Sequence, residues 1–227
     1  MEITLEEFKQ ELRDGARAIV QFRHAERPKM DPDDPSFGDA LRLTPEGART
    51  ARRLGELLGE FAADASFYAS PLTRTRMTAE LIAAGMGLEG ASVPTDDLLG
   101  NGSFYYADAA QVLEVFKPKN FFPASFEYFA TGEQRGFRNL YAATEACEKW
   151  LEEKATTKLF VVATHDLYLA AFLYAKGAIG KFSQANWPRF LDGAAILHRP
   201  DGSTAYALVR TGLSTGIVGV RREDVRP

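Results

Sequence analysis

Two of the three histidines in the chain lie in short polar clusters that directly follow apolar runs. His24 lies between two arginines in the first cluster, and His165 lies beside an aspartate in the last. A middle cluster ends in an arginine. The three clusters are Arg23-His24-Ala25-Glu26-Arg27, Ser70-Pro71-Leu72-Thr73-Arg74 and His165-Asp166. This combination of residue types suits the transfer of a phosphoryl group.

Each residue type in the clusters has a part in that chemistry. Arginine presents a planar fork of donors that matches phosphate oxygens, and it stays charged at any working pH. Three arginines would balance the charge of a bound phosphate and of the transferring group. A neutral imidazole can attack phosphorus to form a phosphohistidine, and neighbouring arginines keep the imidazole unprotonated. A carboxylic acid must then protonate the leaving oxygen.

The apolar runs before the clusters predict three buried strands, over residues 16–22, 66–70 and 159–164. Because helical patterns alternate with these runs, the sequence predicts an α/β fold. Ligands in open α/β sheets bind just beyond the carboxyl ends of the strands, so neighbouring strands would bring the clusters into one pocket. Helices are predicted over 45–61, 73–84, 138–153 and 167–175, a short strand near Val93, a hairpin from 194–198 and 205–210, and an irregular segment over 101–138.

In chain order, the three clusters resemble the motifs of the histidine phosphatase superfamily. Residues 23–28 look like its Arg-His-Gly signature, and residues 70–79 are similar to its Ser-Pro-Leu-x-Arg-Thr-x-x-Thr-Ala segment. Residues 164–166 resemble its second-histidine motif. The resemblance extends from residue 17 to about residue 210. It implies a three-layer α/β/α sandwich with a mostly parallel central sheet, of the phosphoglycerate mutase-like type.

The resemblance also implies a role for each matched residue. His24 would be the phosphorylated nucleophile, and His165 would be a further ligand of the phosphate. Arg23, Arg27 and Arg74 would bind the phosphate. No cofactor and no metal ion are expected, because the two histidines lack a recognisable metal-ligand spacing.

The proton donor separates the two branches of the superfamily. The acid phosphatase branch takes it from an aspartate directly after the second histidine, and the phosphoglycerate mutase-like branch takes it from a glutamate in mid-chain. His165-Asp166 favours the acid phosphatase branch and makes Asp166 the first candidate. Glu26 also fits the mutase-like form of the first motif, so that motif alone assigns no branch. Residues 95–101 contain only aspartates as acids, of which Asp97 is the second candidate.

These residues predict a metal-independent phosphatase that hydrolyses a phosphomonoester through a phosphohistidine on His24. A phosphomutase is the alternative enzyme, although the mid-chain glutamate is missing. A domain that binds a phosphorylated ligand without turnover is a third alternative. A metallohydrolase is disfavoured, because the sequence lacks a metal-ligand pattern.

The composition limits the class of protein and its partners. A length of 227 residues, 45% of them apolar, predicts one globular domain over residues 1–227. The net charge of −4 gives no overall electrostatic footprint for nucleic acid. The predicted phosphatase chemistry makes a small phosphorylated molecule the expected partner, and neither nucleic acid nor a membrane is expected. A single cysteine, no apolar run near the roughly 20 residues of a membrane span, and an acidic N-terminus favour a cytoplasmic protein. The oligomeric state is left open.

The segment 101–138 is rich in aromatic residues and is predicted to be an insertion or lid within the domain. Phe104, Tyr105 and Tyr106 are the predicted pocket walls. Most of the other aromatic side chains are predicted to form a small core under a long loop. These others are Phe121, Phe122, Phe126, Tyr128 and Phe129.

Overall fold

A computed structural model describes residues 1–31, 34, 36, 38–100, 103–119 and 121–219 of the chain. Its strands are β1 (Glu2–Thr4), β2 (Arg17–Arg23), β3 (Ala65–Ala69), β4 (Leu159–Thr164), β5 (Gly193–His198) and β6 (Thr204–Arg210). They form one sheet in the order β1-β6-β5-β2-β4-β3. β5 pairs antiparallel with both of its neighbours, and the other neighbouring strands pair in parallel. The predicted mostly parallel sheet is therefore confirmed.

The strands β2, β4 and β3 end at the same edge of the sheet. Arg23, the last residue of β2, lies opposite Thr164 of β4. Ala69, the last residue of β3, lies opposite Ala163 of β4. All six residues of β4 are buried, as a continuous apolar run requires of a central parallel strand. The polar clusters that follow the three strands consequently begin side by side. The predicted bounds of these three strands agree with the observed ones to within one residue.

Helices cover both faces of the sheet. They are α1 (Leu5–Arg13), α2 (Pro45–Leu58), α3 (Thr73–Gly85), α4 (Ala109–Lys119), α5 (Phe121–Thr131), α6 (Leu140–Lys154) and α7 (Asp166–Ala175). Successive side chains of a strand point to opposite faces. Val20 of β2 accordingly packs in a core with α1, α2 and α3, and Ile19 packs in a second core with α4 to α7. The three-layer α/β/α architecture follows from these two cores.

The start of α2 is set by local chemistry that the sequence predicts. Thr44 is the N-cap, and its hydroxyl oxygen accepts a hydrogen bond from the backbone N–H of Gly47 at 2.9 Å. Pro45 occupies the first helical position, where a missing N–H breaks no hydrogen bond. The predicted end at residue 61 is three residues too late, because the chain tightens into the 3₁₀ segment Gly59–Asp64 after Leu58.

Two predictions about local structure are wrong. The segment 101–138 is not irregular throughout, since it contains α4 and α5. Pro123 lies in the first turn of α5, where proline is tolerated. The predicted strand near Val93 is also absent from the described residues, and a single bridge between Ala69 and Thr95 takes its place.

The most apolar helix of the fold is α7, which has ten residues and a nearly continuous buried surface. It packs against β2, β5 and β6. Among the described residues, no helix combines the length and the apolar character that crossing a membrane requires.

Candidate active site

A cavity of about 510 Å³ opens at the carboxyl ends of β2 and β4, beside the N-terminus of α3. The six side chains predicted from the three polar clusters all line it. They are Arg23, His24, Arg27, Arg74, His165 and Asp166. The structure therefore brings the predicted site residues together, as the shared sheet edge requires.

His24 is held in one orientation by the backbone around it. Its own N–H donates to the carbonyl oxygen of Thr164 at 2.9 Å, which continues the pairing of β2 with β4. The imidazole Nδ1 lies 2.8 Å from the carbonyl oxygen of Ala25. Because a carbonyl can only accept, Nδ1 must carry the proton of the neutral ring, and Nε2 is left with a free electron pair. Nε2 is therefore the ring nitrogen that is free to act as a nucleophile.

Burial and charge both keep His24 neutral. The side chain is 3% exposed, and this burial lowers the pKa of His24 well below its ordinary value of 6.5. The guanidinium groups of Arg74, Arg27 and Arg23 lower the pKa further, in that order. An unprotonated imidazole is the form that can attack phosphorus.

The loop that follows His24 is fixed from two sides. The backbone N–H of Ala25 donates to the hydroxyl of Thr78 on α3 at 3.0 Å, and that hydroxyl donates to the carbonyl of Arg74 at 2.7 Å. The hydroxyl of Thr44 donates to the carboxylate of Glu26 at 2.9 Å. The N-terminal parts of α2 and α3 therefore hold the loop between them.

The three arginines line the cavity with hydrogen-bond donors that are available to a ligand. In the described part of the chain, the buried Nε atoms of Arg23, Arg27 and Arg74 have no hydrogen-bond partner. Burial, and then the neighbouring Arg27, lowers the pKa of Arg74 to about 9. Burial, and then Arg23, lowers the pKa of Arg27 to about 10. Unpaired buried donors and crowded positive charge are costly in a folded protein, and a bound anion relieves both costs.

Backbone carbonyl groups orient these guanidinium groups. Arg74 Nη1 donates to the carbonyl of Gly38 at 2.7 Å, and Arg27 Nη1 donates to the carbonyl of Pro28 at 2.9 Å. Arg23 donates from Nη1 to the carbonyl of Pro188 at 2.8 Å. The forks are consequently held in place before a ligand arrives.

His165 is positioned by a chain of hydroxyl groups. Its Nε2 lies 3.0 Å from the Ser70 hydroxyl oxygen, which lies 2.7 Å from the Thr75 hydroxyl oxygen. Thr75 donates its own proton to the carbonyl of Leu72 at 2.7 Å. Ser70 must then donate to Thr75 and accept from His165, so Nε2 of His165 carries a proton. The rings of His165 and His24 lie edge to face, with centroids 5.6 Å apart.

Asp166 begins α7 at the wall of the cavity. Its Oδ2 lies 3.1 Å from Arg23 Nη2 and accepts a hydrogen bond from the indole N–H of Trp187 at 3.1 Å. Its Oδ1 accepts from the backbone N–H of Leu167 at 3.0 Å. The carboxyl group therefore shares a network of polar contacts with Arg23. Within the described residues, no group of three or more His, Cys, Asp or Glu side chains could hold a metal ion.

The model of the histidine phosphatase superfamily, branch 1, matches residues 19–195, which is more than half of the chain. The chain belongs to the histidine phosphatase superfamily. The match is to branch 1, so the predicted closer likeness to the acid phosphatase branch is not confirmed. No curated protein matches the chain by sequence.

Solved structures of other proteins share the fold. The chain is similar to the mycobacterial glucosyl-3-phosphoglycerate phosphatase, with 16% identity over 86% of this chain and 99% of that one, at a TM-score of 0.55. It is also similar to YhfR of Bacillus stearothermophilus, with 17% identity over 87% and 99% of the two chains and a TM-score of 0.55. A phosphoserine phosphatase of Entamoeba histolytica, solved with 3-phosphoglyceric acid, gives 15% identity, 86% and 98% coverage and a TM-score of 0.51.

Some predicted residues of this histidine phosphatase superfamily member lie away from the cavity. Asp97 is exposed in the 3₁₀ segment Asp97–Leu99 and does not line the cavity. Phe104 is buried against Trp150, and Tyr105 is buried against Tyr168 with its hydroxyl 3.3 Å from that of Thr144. Both were predicted as pocket walls, but they lie in a buried aromatic core instead. Of the predicted trio, Tyr106 lines the cavity.

Several site residues were missed by sequence reasoning. Ser70, Thr75 and Thr78 belong to the quoted motif, so their spacing after β3 was the available signal. Phe121 and Phe122 were assigned to a satellite core, yet both line the cavity. Further missed lining residues are Met30, Leu113, Phe116, Leu167, Tyr168 and Ile217.

Proposed function

We propose that this protein is a metal-independent phosphatase that hydrolyses a small phosphomonoester through a phosphohistidine on His24. The observation that carries the proposal is the state of His24. Its Nδ1 proton is engaged by the carbonyl of Ala25, its Nε2 is unprotonated, and three arginines with unpaired Nε donors share its cavity. Two of the similar structures described above are named as phosphatases, which supports hydrolysis.

The first half of the reaction forms the phosphohistidine. Arg23, Arg27 and Arg74 hold the phosphate oxygens, and His24 Nε2 attacks phosphorus. The P–N bond forms as the bond from phosphorus to the ester oxygen breaks. Asp166 donates a proton to that oxygen, and its Oδ1 is the oxygen less engaged by Arg23 and Trp187. The alcohol then leaves.

The second half returns the enzyme to its starting state. A water molecule gives a proton to the Asp166 carboxylate and attacks phosphorus. The P–N bond breaks, and the electron pair returns to Nε2 of His24. The arginines stabilise the charge on the phosphoryl oxygens in both halves. Inorganic phosphate leaves last.

The wall of the cavity supports hydrolysis over phosphoryl transfer between sugar or glycerate positions. A mutase of the phosphoglycerate mutase-like type would use a glutamate, and the described lining contains none.

We further propose that α4 and α5, within a single domain, act as a lid over the bound ester. Cys147, the single cysteine, is buried and unpaired, which fits a cytoplasmic enzyme.

The test compares two histidine variants. Hydrolysis of 4-nitrophenyl phosphate is followed between pH 5 and 8 with a chelator present, for wild type, His24→Ala and His198→Ala. His198 lies on β5 beside Glu152, outside the cavity, and serves as the matched control. We expect His24→Ala to lose at least about 10³-fold in kcat/KM and to form no phosphoprotein after rapid alkaline quench. Wild-type turnover in His24→Ala would overturn the proposal.

A further inference from the structure

The cavity extends far beyond the groups that hold the phosphate. Its volume of about 510 Å³ lies in the range of sites that enclose a whole small molecule. The arginines and histidines occupy the end at β2 and β4. The remaining space must therefore receive the alcohol part of the ester.

The wall around that space is apolar on one side because of α4 and α5. Leu113 and Phe116 of α4 and Phe121 and Phe122 of α5 line it. Phe116 and Phe121 have ring centroids 5.1 Å apart, and Phe121 and Phe122 have centroids 5.3 Å apart. The three phenylalanines thus form a continuous aromatic surface.

This aromatic surface is anchored to the catalytic end of the cavity. Trp187 is fully buried, and both Phe121 and Phe122 meet its ring edge to face at 5.4 and 5.3 Å. The indole N–H of Trp187 donates to Asp166. The apolar wall is consequently fixed relative to the proposed proton donor.

The remaining lining continues the apolar character. Met30, Ile217 and Val218 contribute further apolar side chains, and Leu167 follows Asp166. Tyr168 is committed elsewhere, since its hydroxyl donates to the carbonyl of Gly100. Charged side chains of the lining outside the catalytic cluster are two exposed lysines, Lys29 and Lys117.

These contacts discriminate between kinds of alcohol. The hydroxyl groups of a sugar or of glycerol would lose water against phenylalanine and leucine and would find few partners there. A hydrocarbon group would gain by leaving water, in proportion to the apolar area that it buries. On the basis of the proposed phosphatase activity, we propose that the substrate is a phosphomonoester of a bulky apolar alcohol, bound against Leu113, Phe116, Phe121 and Phe122.

The test uses four esters whose leaving groups are primary alkoxides of similar basicity. They are 3-phenylpropyl, decyl, propyl and glycerol 1-phosphate. We expect kcat/KM for 3-phenylpropyl and decyl phosphate to exceed that for propyl phosphate by at least about tenfold. A higher value for the phenyl ester would indicate an aromatic alcohol, and a higher value for the decyl ester would indicate an alkyl chain. Glycerol 1-phosphate equal to or better than both would overturn the proposal.

Binding to His24→Ala separates this proposal from the proposed hydrolysis. Calorimetry measures the Kd of 3-phenylpropyl and propyl phosphate without turnover. A Kd at least about tenfold lower for the phenyl ester supports the apolar site even if no ester is hydrolysed. Equal Kd values overturn the apolar site even if wild type hydrolyses every ester.

A pair of variants on α4 locates the preference. Leu113→Asn places an amide of nearly the same size in the apolar wall. It should lower the ratio of kcat/KM for 3-phenylpropyl over propyl phosphate about tenfold. Val115→Asn, on the same helix and outside the lining, is the matched control and should keep the wild-type ratio. An unchanged ratio in Leu113→Asn, or an equal loss in Val115→Asn, would count against this wall.

Discussion

At the scale of single residues, the chemistry of the site depends on which hydrogen-bonding atoms are already bonded within the protein. Arg74 has Nη1 on the carbonyl of Gly38 and a buried Nε without a partner in the described chain. His24 has used Nδ1 and kept Nε2. In each group one polar atom is bonded to the backbone, and the atom that the proposed phosphoryl transfer needs is left available to a ligand.

Replacing Arg74 by lysine tests the value of the planar fork. Lysine keeps the positive charge but cannot bind the Gly38 carbonyl and two phosphate oxygens in the same geometry. We expect Arg74→Lys to lower kcat/KM by about 10²-fold, measured with 4-nitrophenyl phosphate. Arg76→Lys changes an exposed arginine two residues further along α3 and should have no effect. A loss of less than threefold in Arg74→Lys would show that charge alone suffices.

At the scale of elements, the carboxyl ends of β2, β3 and β4 and the N-termini of α2 and α3 place the site. The strands and the convergence of their polar ends could be predicted, because apolar runs and the residues that stop them are local in sequence. The residues of the cavity wall could not be predicted from the sequence. Phe104 and Phe121 have the same residue type, and only the packing of α4 and α5 decides that Phe121 faces the cavity.

The same limit explains why the sequence left two candidates for the proton donor. Asp97 and Asp166 both come after a predicted strand, and the sequence alone ranked them by resemblance. Their difference in position depends on α7 beginning at the sheet edge with Asp166 in its first turn, while Asp97 lies in an exposed 3₁₀ segment. Such placement is tertiary and leaves no local signal.

The close crossing of α2 and α3 is the element contact that most directly supports the site. A Cβ added to Gly55 would lie 2.0 Å from the carbonyl oxygen of Ile82, so only glycine fits. We expect Gly55→Ala to destabilise the fold by about 2–3 kcal/mol in urea unfolding, because backbone must shift to admit the methyl group. Gly59→Ala is the matched control: a Cβ there meets nothing within 4 Å, and its φ of −56° suits alanine. Equal stabilities of the two variants would contradict the crossing.

At the scale of the whole molecule, the positive site is hidden by an acidic average. The net charge is −4, while three arginines and the imidazoles of His24 and His165 share one cavity. Burying these groups costs stability, and the cost depends on pH because the histidines must stay neutral in the folded state. This cost should therefore be measurable in the free energy of unfolding of the whole chain.

The sign of that effect follows from the pKa values of His24 and His165. Burial, followed by Arg74 and the other arginines, lowers both well below 6.5. Below about pH 6.5 these histidines bind protons in the unfolded chain but not in the folded chain. The free energy of unfolding therefore falls as the pH falls. Each histidine contributes a slope of up to about 1.4 kcal/mol per pH unit in that range. Wild type should thus lose stability between pH 7 and 5.5.

The histidine variants attribute this loss. Free energies of unfolding are measured by urea titration at several pH values from 7.5 to 5.5, in a buffer without phosphate. His24→Gln should reduce the slope of stability against pH, and the double variant with His165→Gln should reduce it further. The comparison uses slopes, so a change in absolute stability does not obscure it. A double variant with the wild-type slope would show that these two imidazoles accept protons in the folded state as readily as in the unfolded chain, and the unprotonated nucleophile would lose its physical basis.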